Sequence, residues 1–195
     1  MLQQMGFFPS RAESDIWMKD CGDHYEYIAC YVDDLLVASR NPKAIMDQLK
    51  GEPHNFKLKG DGPVTFHLGC NFERDPDGTL KMSPNNYIER IEAQYVALFG
   101  EKPPTSACKS PLGDEDHPEM DITPLLDEDR ISKYRSLIGA LQWAISLGRF
   151  DLGVLVMTMS SFSAAPRVGH LERLKCITGY LLKMRQGGIR VRTEK

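Results

Sequence analysis

The spacing of hydrophobic and polar residues changes several times along this 195-residue chain. Residues 1–82 hold short apolar runs bounded by turn residues, which is typical of β-strands, together with one helical segment. Residues 83–100 carry one apolar stripe at helical spacing, and residues 129–195 carry several. Residues 101–128 show no periodicity. The pattern predicts an α+β fold in which a linker separates a strand-rich region from a helical one.

The clearest strand signal is a pair of apolar, β-prone runs, Tyr25 to Tyr31 and Leu35 to Ser39. Only Val32, Asp33 and Asp34 separate these runs, so the pattern predicts a tight antiparallel hairpin. Adjacent side chains on a straight strand point to opposite faces, whereas at a hairpin tip both can reach one spot. We therefore expect both aspartates to be exposed at the tip, on one side of the sheet.

A helix and a second hairpin are predicted later in the same region. The helix follows Asn41 as N-cap, with Pro42 at its first position and Gly51 after its end. The hairpin joins residues 64–74 to residues 79–82 through an Asp-Pro-Asp-Gly turn. Proline and glycine stand there at positions that turns favour.

Caps and apolar stripes mark the remaining helices. One helix is predicted to start with Ser83 as cap and Pro84 at its first position, and three more follow residue 129. Residues 189–192 are predicted to begin a strand whose partner strands lie outside this chain. The same reasoning places Trp143, Met157 and Met159 in the core. The stripes consist of Tyr87, Ile88, Ile91, Tyr95 and Leu98, of Tyr134, Leu137, Ile138, Leu141 and Ile145, and of Leu171, Leu174, Ile177 and Leu181.

Charge is distributed unevenly, although the formal net charge is only −3. Residues 113–129 hold eight acids and no Lys or Arg, so we expect residues 101–127 to be mobile. Residues 167–195 hold eight Lys or Arg and two Glu. The low overall charge argues against a self-sufficient nucleic-acid binder, because Lys and Arg make most phosphate contacts. The basic C-terminal part could still contact nucleic acid.

Cysteine usage and hydropathy bear on the compartment. The five cysteines are scattered and form no CxxC pair, which predicts neither a disulfide framework nor a zinc site and fits a reducing compartment. No apolar run has the length of a transmembrane span, and the first residues lack the apolar stretch of a signal peptide. We expect an intracellular, soluble protein with no membrane partner.

The paired aspartates are the strongest candidate for chemistry. Asp33 and Asp34 stand within an otherwise apolar stretch from Tyr27 to Ala38, where burial and mutual repulsion would oppose their ionisation. Magnesium would neutralise them, because Mg²⁺ takes hard oxygen ligands and leaves room for substrate phosphates. Two such ions could activate a hydroxyl group and stabilise a leaving pyrophosphate. The alternative is that both are ordinary turn residues in solvent, and composition does not decide between the two.

An ordered set of motifs resembles those of copia-type retrotransposon reverse transcriptases. YVDDLL from Tyr31 is similar to the YxDD signature of these enzymes, and YRSLIGAL from Tyr134 is similar to their YRSLIGSLLYL helix. The chain departs from the family where Pro84 or Asn85 replaces a glutamine and where GRFDL, from Gly148, replaces TRPDI. The remaining matches are GFFPS from Gly6 with Asp15, FHLG from Phe66, YI at Tyr87, and Pro166, His170 and Tyr180-Leu181 in the last helix.

The resemblance implies RNA-directed DNA synthesis with two Mg²⁺ ions. It implies that Asp33 binds metal with Asp34 beside it, and that Tyr31 and Val32 lie against the primer end and the incoming nucleotide. The primer grip would comprise Phe66, Leu68 and Gly69. Residues 1–82 would then be part of the palm, 83–100 a helix leading into the thumb, 101–128 an acidic linker, and 129–195 the thumb and connection.

The resemblance also implies partners and a location. The partners would be an RNA or DNA template-primer, deoxynucleoside triphosphates (dNTPs), and the missing fingers, palm and RNase H segments of the same polyprotein. The location would be a cytoplasmic virus-like particle or the nucleus. In this family a third carboxylate lies on a palm strand upstream of the YVDD motif, and Met1 falls after that point. The chain alone is therefore expected to be inactive. It is either a fragment of an active polymerase or a relic that serves at most in nucleic-acid binding or assembly.

Overall fold

The computed structural model describes residues 1–60, 62–105 and 117–192. The chain forms two compact units, Met1–Val64 and Thr65–Lys195. Each unit contains a four-stranded antiparallel sheet, and the second also contains four of the five α-helices found among the described residues. The predicted α+β class is confirmed. None of the helices in these ranges is long and apolar enough to cross a membrane.

The sheet of the first unit is a meander in which each strand pairs with the next one along the chain. One helix follows it, α1 (Pro42–Lys50), and begins where the sequence predicts. The side chain of Asn41 caps this helix by accepting a hydrogen bond from the N–H of Ala44 at 3.3 Å. The strands are β1 (Phe8–Pro9), β2 (Ile16–Asp20), β3 (Tyr25–Tyr31) and β4 (Asp34–Ala38).

Only one face of this sheet is buried. Ile28 of β3 has no exposed surface and packs in a cluster with Ile45 and Leu49 of α1. Side chains alternate along a strand, so Tyr27 and the other tyrosines of β3 point to the opposite face. Tyr27 is 39% exposed. We call this second side, which carries Tyr25, Tyr27 and Tyr31, the open face of the sheet.

The second unit contains the other sheet, in the order β5 to β8. The predicted hairpin around the Asp-Pro-Asp-Gly turn is present, with Arg74 opposite Leu80. Its predicted first strand, residues 64–74, is wrong in extent, because a turn at Leu68 and Gly69 divides it into two strands. The last strand pairs with β7, placing Ile189 opposite Met82. The expectation that this strand finds its partners outside the chain is therefore wrong, because local pattern carries no information on so distant a pairing. The strands are β5 (Phe66–His67), β6 (Cys70–Arg74), β7 (Leu80–Ser83) and β8 (Ile189–Val191).

The helices of the second unit share one core, which the predicted stripes form. Tyr134 and Leu141 are fully buried in it, and the Tyr134 hydroxyl donates a hydrogen bond to the Met159 carbonyl at 2.6 Å. That bond satisfies a polar group that would otherwise be buried without a partner. The helices are α2 (Asn85–Phe99), α3 (Glu128–Ser146), α4 (Gly153–Ser160) and α5 (Val168–Lys183), and short 3₁₀ turns cover Pro118–Met120 and Phe150–Leu152.

The start of α2 differs from the prediction that Ser83 caps it. Ser83 is the last residue of β7 and is buried, and Pro84 occupies the N-cap position without a side-chain hydrogen bond. The side chain of Asn71 on β6 instead accepts a hydrogen bond from the N–H of Asn86 at 3.2 Å. A neighbouring strand thus satisfies a free N–H group of the first turn, a solution that the local sequence does not reveal.

Two of the three residues assigned to the core from hydropathy are not buried. Trp143 is 52% exposed and Met157 is 60% exposed, whereas Met159 has no exposed surface. The helices α3 and α4 bury other faces, so apolar composition alone misplaced these two side chains. Exposed large apolar residues are common on folded proteins and need no special role.

The acidic linker is only partly described. Residues 106–116 lie outside the described residues. Residues 117–127 are held against α5 and its start: Thr123 Oγ1 accepts a hydrogen bond from the N–H of Gly169 at 2.9 Å, and the N–H of Leu126 donates to the Pro166 carbonyl at 2.9 Å. The mobility expected of residues 101–127 therefore does not extend to 117–127.

His170 joins this acidic segment to α5. Its Nδ1 accepts a hydrogen bond from the N–H of Arg167 at 3.1 Å, and its Nε2 lies 2.9 Å from the Pro118 carbonyl oxygen, to which the neutral ring donates. The ring also stacks on Phe162, with centroids 4.1 Å apart, and the residue is 3% exposed. His170 therefore caps the helix and anchors the segment.

We expect His170→Ala to lower the free energy of unfolding of the second unit by about 2 kcal/mol. The change removes a helix cap and leaves the Arg167 N–H and the Pro118 carbonyl without their partner. Urea unfolding followed by circular dichroism measures the loss. The control is His117→Ala, because the exposed ring of His117 pairs with Glu119. This variant should lower the free energy of unfolding by less than about 0.5 kcal/mol. Equal losses in the two variants would contradict the anchoring role.

Asp121 should make the second unit sensitive to acid. Its side chain is 4% exposed, and Gly169 leaves room for it, since a Cβ there would collide with the carboxylate. Hydrogen bonds from Thr123 and the ion pair with Arg173 hold the pKa of Asp121 at about 2, below its ordinary value of 3.8. Because the folded pKa is the lower one, this stabilisation is present above about pH 4 and is lost as the pH falls toward 2.

We expect Asp121→Asn to unfold at lower urea concentration than the wild type near neutral pH. The difference should shrink as the pH falls below about 4, because the wild-type carboxylate then loses its own contribution. Urea unfolding at several pH values measures this convergence. Asp129→Asn, at an exposed carboxylate paired with Lys133, serves as control. A difference between Asp121→Asn and the wild type that stays constant with pH would rule out the charge as its cause.

Candidate functional site

The predicted hairpin is present, and its turn has two residues. Strands β3 and β4 pair so that Tyr31 lies opposite Asp34. Only Val32 and Asp33 lie between them, so Asp34 is the first residue of β4. All four residues are exposed. The prediction of a tight hairpin with both aspartates exposed at its tip is confirmed.

Val32 has a backbone conformation that is rare for a β-branched residue. Its φ is 50°, and the residue is 89% exposed. Two-residue hairpin turns require positive φ at one or both positions to match the twist of the strands. For valine this conformation costs about 1–3 kcal/mol, and strain of this kind is concentrated at functional sites. The tight turn therefore imposes the strain and fixes the backbone beside Asp33.

Strand register places an aromatic ring beside a carboxylate. Residues directly opposite one another in an antiparallel pair have side chains on the same face. Tyr31, which is 53% exposed, and Asp34 therefore share the open face of the sheet. Cys30 and Leu35, the next pair, point to the other face and pack against the core of the first unit. The tip thus presents polar groups to one side while its neighbours hold it to the core.

The two aspartates remain in water, although the sequence around them is apolar. The desolvation penalty that this apolar stretch suggested is not incurred, because both acids are exposed at the tip while Cys30 and Leu35 pack against the core. Within the described residues, no third Cys, His, Asp or Glu ligand atom joins these two carboxylates. Two exposed carboxylates nevertheless suit Mg²⁺, which is commonly bound through one or two carboxylates plus substrate phosphates. The residues present therefore fit that metal.

The FHLG motif also forms a hairpin tip. His67 lies opposite Cys70, which leaves Leu68 and Gly69 as a two-residue turn with φ values of 48° and 88°. Positive φ at both positions is the type I′ arrangement. Phe66 and Leu68 are 49% and 42% exposed. The turn therefore presents two apolar side chains to solvent.

This second turn rests on the end of α3. A Cβ at Gly69 would lie 3.2 Å from Cδ1 of Leu147 and 4.0 Å from Nε1 of Trp143. The Cys70 thiol donates a weak hydrogen bond to the Leu147 carbonyl at 3.5 Å. Both the close approach and the positive φ favour glycine at position 69.

The two tips belong to different units. The YVDD turn lies within Met1–Val64, and the FHLG turn lies within Thr65–Lys195. The pattern of hydrophobic and polar residues predicted both hairpins within one region, residues 1–82. The structure instead places the second hairpin with the helices, because β6 and β7 pair onward to β8 and the Gly69 turn contacts α3.

The motif GRFDL holds an ion pair that the sequence analysis did not identify. Arg149 is 1% exposed, and its Nε and Nη2 donate to the two carboxylate oxygens of Asp151 at 2.9 and 2.7 Å. Its Nη1 approaches the Leu181 carbonyl at 3.5 Å. The arginine and aspartate that this chain shares with the TRPDI motif therefore have a structural role. The spacing of two residues between these opposite charges was the sequence signal from which the ion pair could have been predicted.

Comparison with known proteins agrees with the motifs. The sequence pattern that defines the reverse transcriptase (RNA-dependent DNA polymerase) family matches residues 1–105. No solved structure gives a significant match.

Curated relatives match over almost the whole chain. The putative transposon Ty5-1 protein of Saccharomyces cerevisiae is 31% identical over 98% of this chain. The retrovirus-related Pol polyprotein from transposon RE1 of Arabidopsis thaliana is 28% identical over 96% of it. The chain spans 60% of the yeast protein and 12% of the plant polyprotein. These matches agree with the YVDD and FHLG motifs described above. We conclude that the chain belongs to the reverse transcriptase family and is a fragment of a copia-type retrotransposon reverse transcriptase.

Proposed function

We propose that this chain supplies the paired aspartates of the nucleotidyl-transfer site in an RNA-directed DNA polymerase. One observation carries the proposal: Asp33 and Asp34 stand exposed at a two-residue turn in a chain of the reverse transcriptase family. Two features support it: a valine, and not the glycine or asparagine usual at positive φ, occupies the turn, and Tyr31 shares the open face with Asp34.

Each residue of the tip has a role in this proposal. Asp33 and Asp34 offer carboxylate oxygens as ligands for Mg²⁺, with Asp33 as the main ligand. When bound, Mg²⁺ would activate the primer hydroxyl and neutralise charge on the nucleotide phosphates. Tyr31 offers its ring to the primer end on the open face, and Val32 projects its exposed side chain toward the incoming nucleotide.

The remaining assignments follow from the family. The first unit corresponds to part of the palm, and the helices of the second unit correspond to the thumb and connection. Phe66 and Leu68 would contact the primer strand from the type I′ turn, and Gly69 would allow that turn to form. The proposed partners are a template-primer, dNTPs and the other segments of a Pol polyprotein. We also propose the cytoplasmic virus-like particle or the nucleus as the place of action.

Primer extension tests the proposal. The 195-residue chain is assayed on poly-rA/oligo-dT with Mg²⁺, alone and joined to the upstream reverse transcriptase segment of the transposon RE1 polyprotein. We expect no extension by the chain alone, because only two carboxylates are available at the tip. We expect extension by the joined protein, in which the upstream segment supplies the third carboxylate that the family resemblance implies.

Two results would overturn the proposal. Extension by the chain alone would show that no further carboxylate is needed. A joined protein that folds, as judged by circular dichroism and a cooperative thermal transition, but does not extend the primer would favour the inactive relic. In that case, binding of the chain to the template-primer in a gel-shift assay would measure whether nucleic-acid binding remains.

A further inference from the structure

A cluster of three metal-ligating side chains lies at the opposite end of β3 from the YVDD turn. Cys21, His24 and Glu26 each offer one ligand atom, and these sulfur, nitrogen and oxygen atoms all lie within 4.8 Å of one another. It is the one group of three such residues that the described part of the chain brings together. The absence of a CxxC pair had suggested that the chain holds no zinc site.

Strand geometry explains why these three side chains meet. The N–H of Cys21 donates to the His24 carbonyl at 2.9 Å, which closes the turn between β2 and β3 and sets the two residues opposite each other. Opposite residues share a face, and so do residues two apart on one strand. His24 and Glu26 are two apart, so all three side chains project from one side of the sheet.

The imidazole of His24 is already oriented. Its Nδ1 lies 2.6 Å from Oδ1 of Asp23, whose other carboxylate oxygen accepts a hydrogen bond from Arg40 at 2.6 Å. A ring that donates Nδ1–H to a carboxylate presents the lone pair of Nε2. Metal-binding histidines are commonly fixed in this way by a second residue, which sets the tautomer and raises the basicity of the ligand.

Cys21 and Glu26 are coupled in the same cluster. The Cys21 thiol donates a hydrogen bond to the Glu26 carboxylate. The Glu26 carboxylate also accepts a hydrogen bond from the Ser39 hydroxyl at the end of β4. A dication could replace the thiol proton and bind both groups while Ser39 continues to orient the carboxylate.

We propose that Cys21, His24 and Glu26 form a zinc site that ties the β2–β3 turn together. One thiolate, one imidazole and one carboxylate form a ligand set that zinc takes, and three protein ligands leave a fourth position for water or another small ligand. Mg²⁺ is disfavoured, because it takes hard oxygen ligands. Bound zinc would hold the far end of the first unit's sheet, near Ser39 and Arg40.

The site is separate from the proposed polymerase site. Six residue steps along β3 separate Tyr25 from Tyr31, which corresponds to about 20 Å at roughly 3.3 Å per residue. Zinc binding and nucleotidyl transfer can therefore succeed or fail independently.

Metal titration of the reduced 195-residue chain tests the site. We expect one zinc ion to bind, a large excess of Mg²⁺ not to displace it, and the thermal transition of the first unit to rise. Co²⁺ as a probe should give a thiolate-to-metal charge-transfer band in the near ultraviolet. Cys21→Ser and His24→Asn should each weaken zinc binding by about a hundredfold or more, and Cys21→Ser should abolish the Co²⁺ band.

Matched variants keep the result interpretable. Cys30→Ser alters a thiol on β3 that is outside the cluster and should leave zinc affinity unchanged. Glu26→Gln keeps a partner for Ser39 but lacks the charge and should weaken binding. Thermal unfolding without metal checks that each variant folds. Absence of stoichiometric zinc binding would overturn the proposal. So would binding that survives both Cys21→Ser and His24→Asn, or that Cys30→Ser weakens equally.

Discussion

Replacing Asp33 with asparagine in the joined polymerase is expected to lower the rate of primer extension by about a hundredfold or more. Asparagine keeps the size and hydrogen-bonding capacity that the turn requires, but it lacks the negative charge that holds a divalent metal. Losing electrostatic stabilisation of a phosphoryl-transfer transition state commonly has an effect of this size. Single-turnover extension with saturating dNTP measures the rate of nucleotide addition, because product release does not limit a single turnover.

The control for this prediction is another replacement of aspartate by asparagine in the first unit. Asp47→Asn removes one exposed carboxylate from α1 and should leave the extension rate within about twofold of the unchanged protein, because surface changes away from a site have small effects. The alternative reading, in which Asp33 only forms the turn, predicts that Asp33→Asn retains activity. An effect of similar size in both variants would point instead to nonspecific loss of charge near the template-primer.

Replacing Asp151 with alanine is expected to reduce the free energy of unfolding of the second unit by about 3 kcal/mol. Arg149 is 1% exposed, so loss of its bidentate partner leaves a guanidinium in the interior with only the distant Leu181 carbonyl as acceptor. Breaking a buried pair by removing one partner costs about 3–5 kcal/mol. We expect the lower end of that range, because the Asp151 side chain is 40% exposed and water can take part of its place.

Two variants separate this explanation from a general effect of losing a carboxylate. Asp129→Ala breaks the exposed pair with Lys133, which joins residues four apart on α3 at 2.7 Å, and should cost at most about 0.5 kcal/mol. The double variant Arg149→Met with Asp151→Ala removes the stranded charge and should recover part of the loss. Urea unfolding measures all three. A double variant less stable than Asp151→Ala alone would contradict the idea that the unpaired arginine is the cause.

Local sequence signals located the YVDD hairpin and most of the helices correctly. The YVDD hairpin could be predicted because its two apolar runs and its short interval are both contained in about fifteen consecutive residues, where strand propensity and turn length act together. The cap at Asn41 and the stripe through Tyr134 and Leu141 are likewise local, since a helix is defined by contacts within a few residues. The family resemblance extended these signals to named roles for Asp33 and Asp34.

Contacts between distant residues were beyond the reach of those signals. The partner of β8 and the anchoring of residues 117–127 by His170 depend on contacts across many tens of residues. The hydrogen bond from the N–H of Asn86 in α2 to Asn71 joins two different elements that are 15 residues apart. Hydropathy likewise marked Trp143 as apolar without indicating which face of α3 would be buried.

By itself, the sequence determined the family, the α+β class and the position of the two aspartates, because each depends on residue identity and short-range spacing. Only the tertiary structure decided that Tyr31 and Asp34 share the open face and that Val32 bears the strain of the turn. It also decided that the FHLG hairpin belongs with the helices and that Cys21, His24 and Glu26 meet. Exposure, backbone strain and side-chain proximity follow from strand register and from packing against the core, which depend on contacts between residues far apart in the chain.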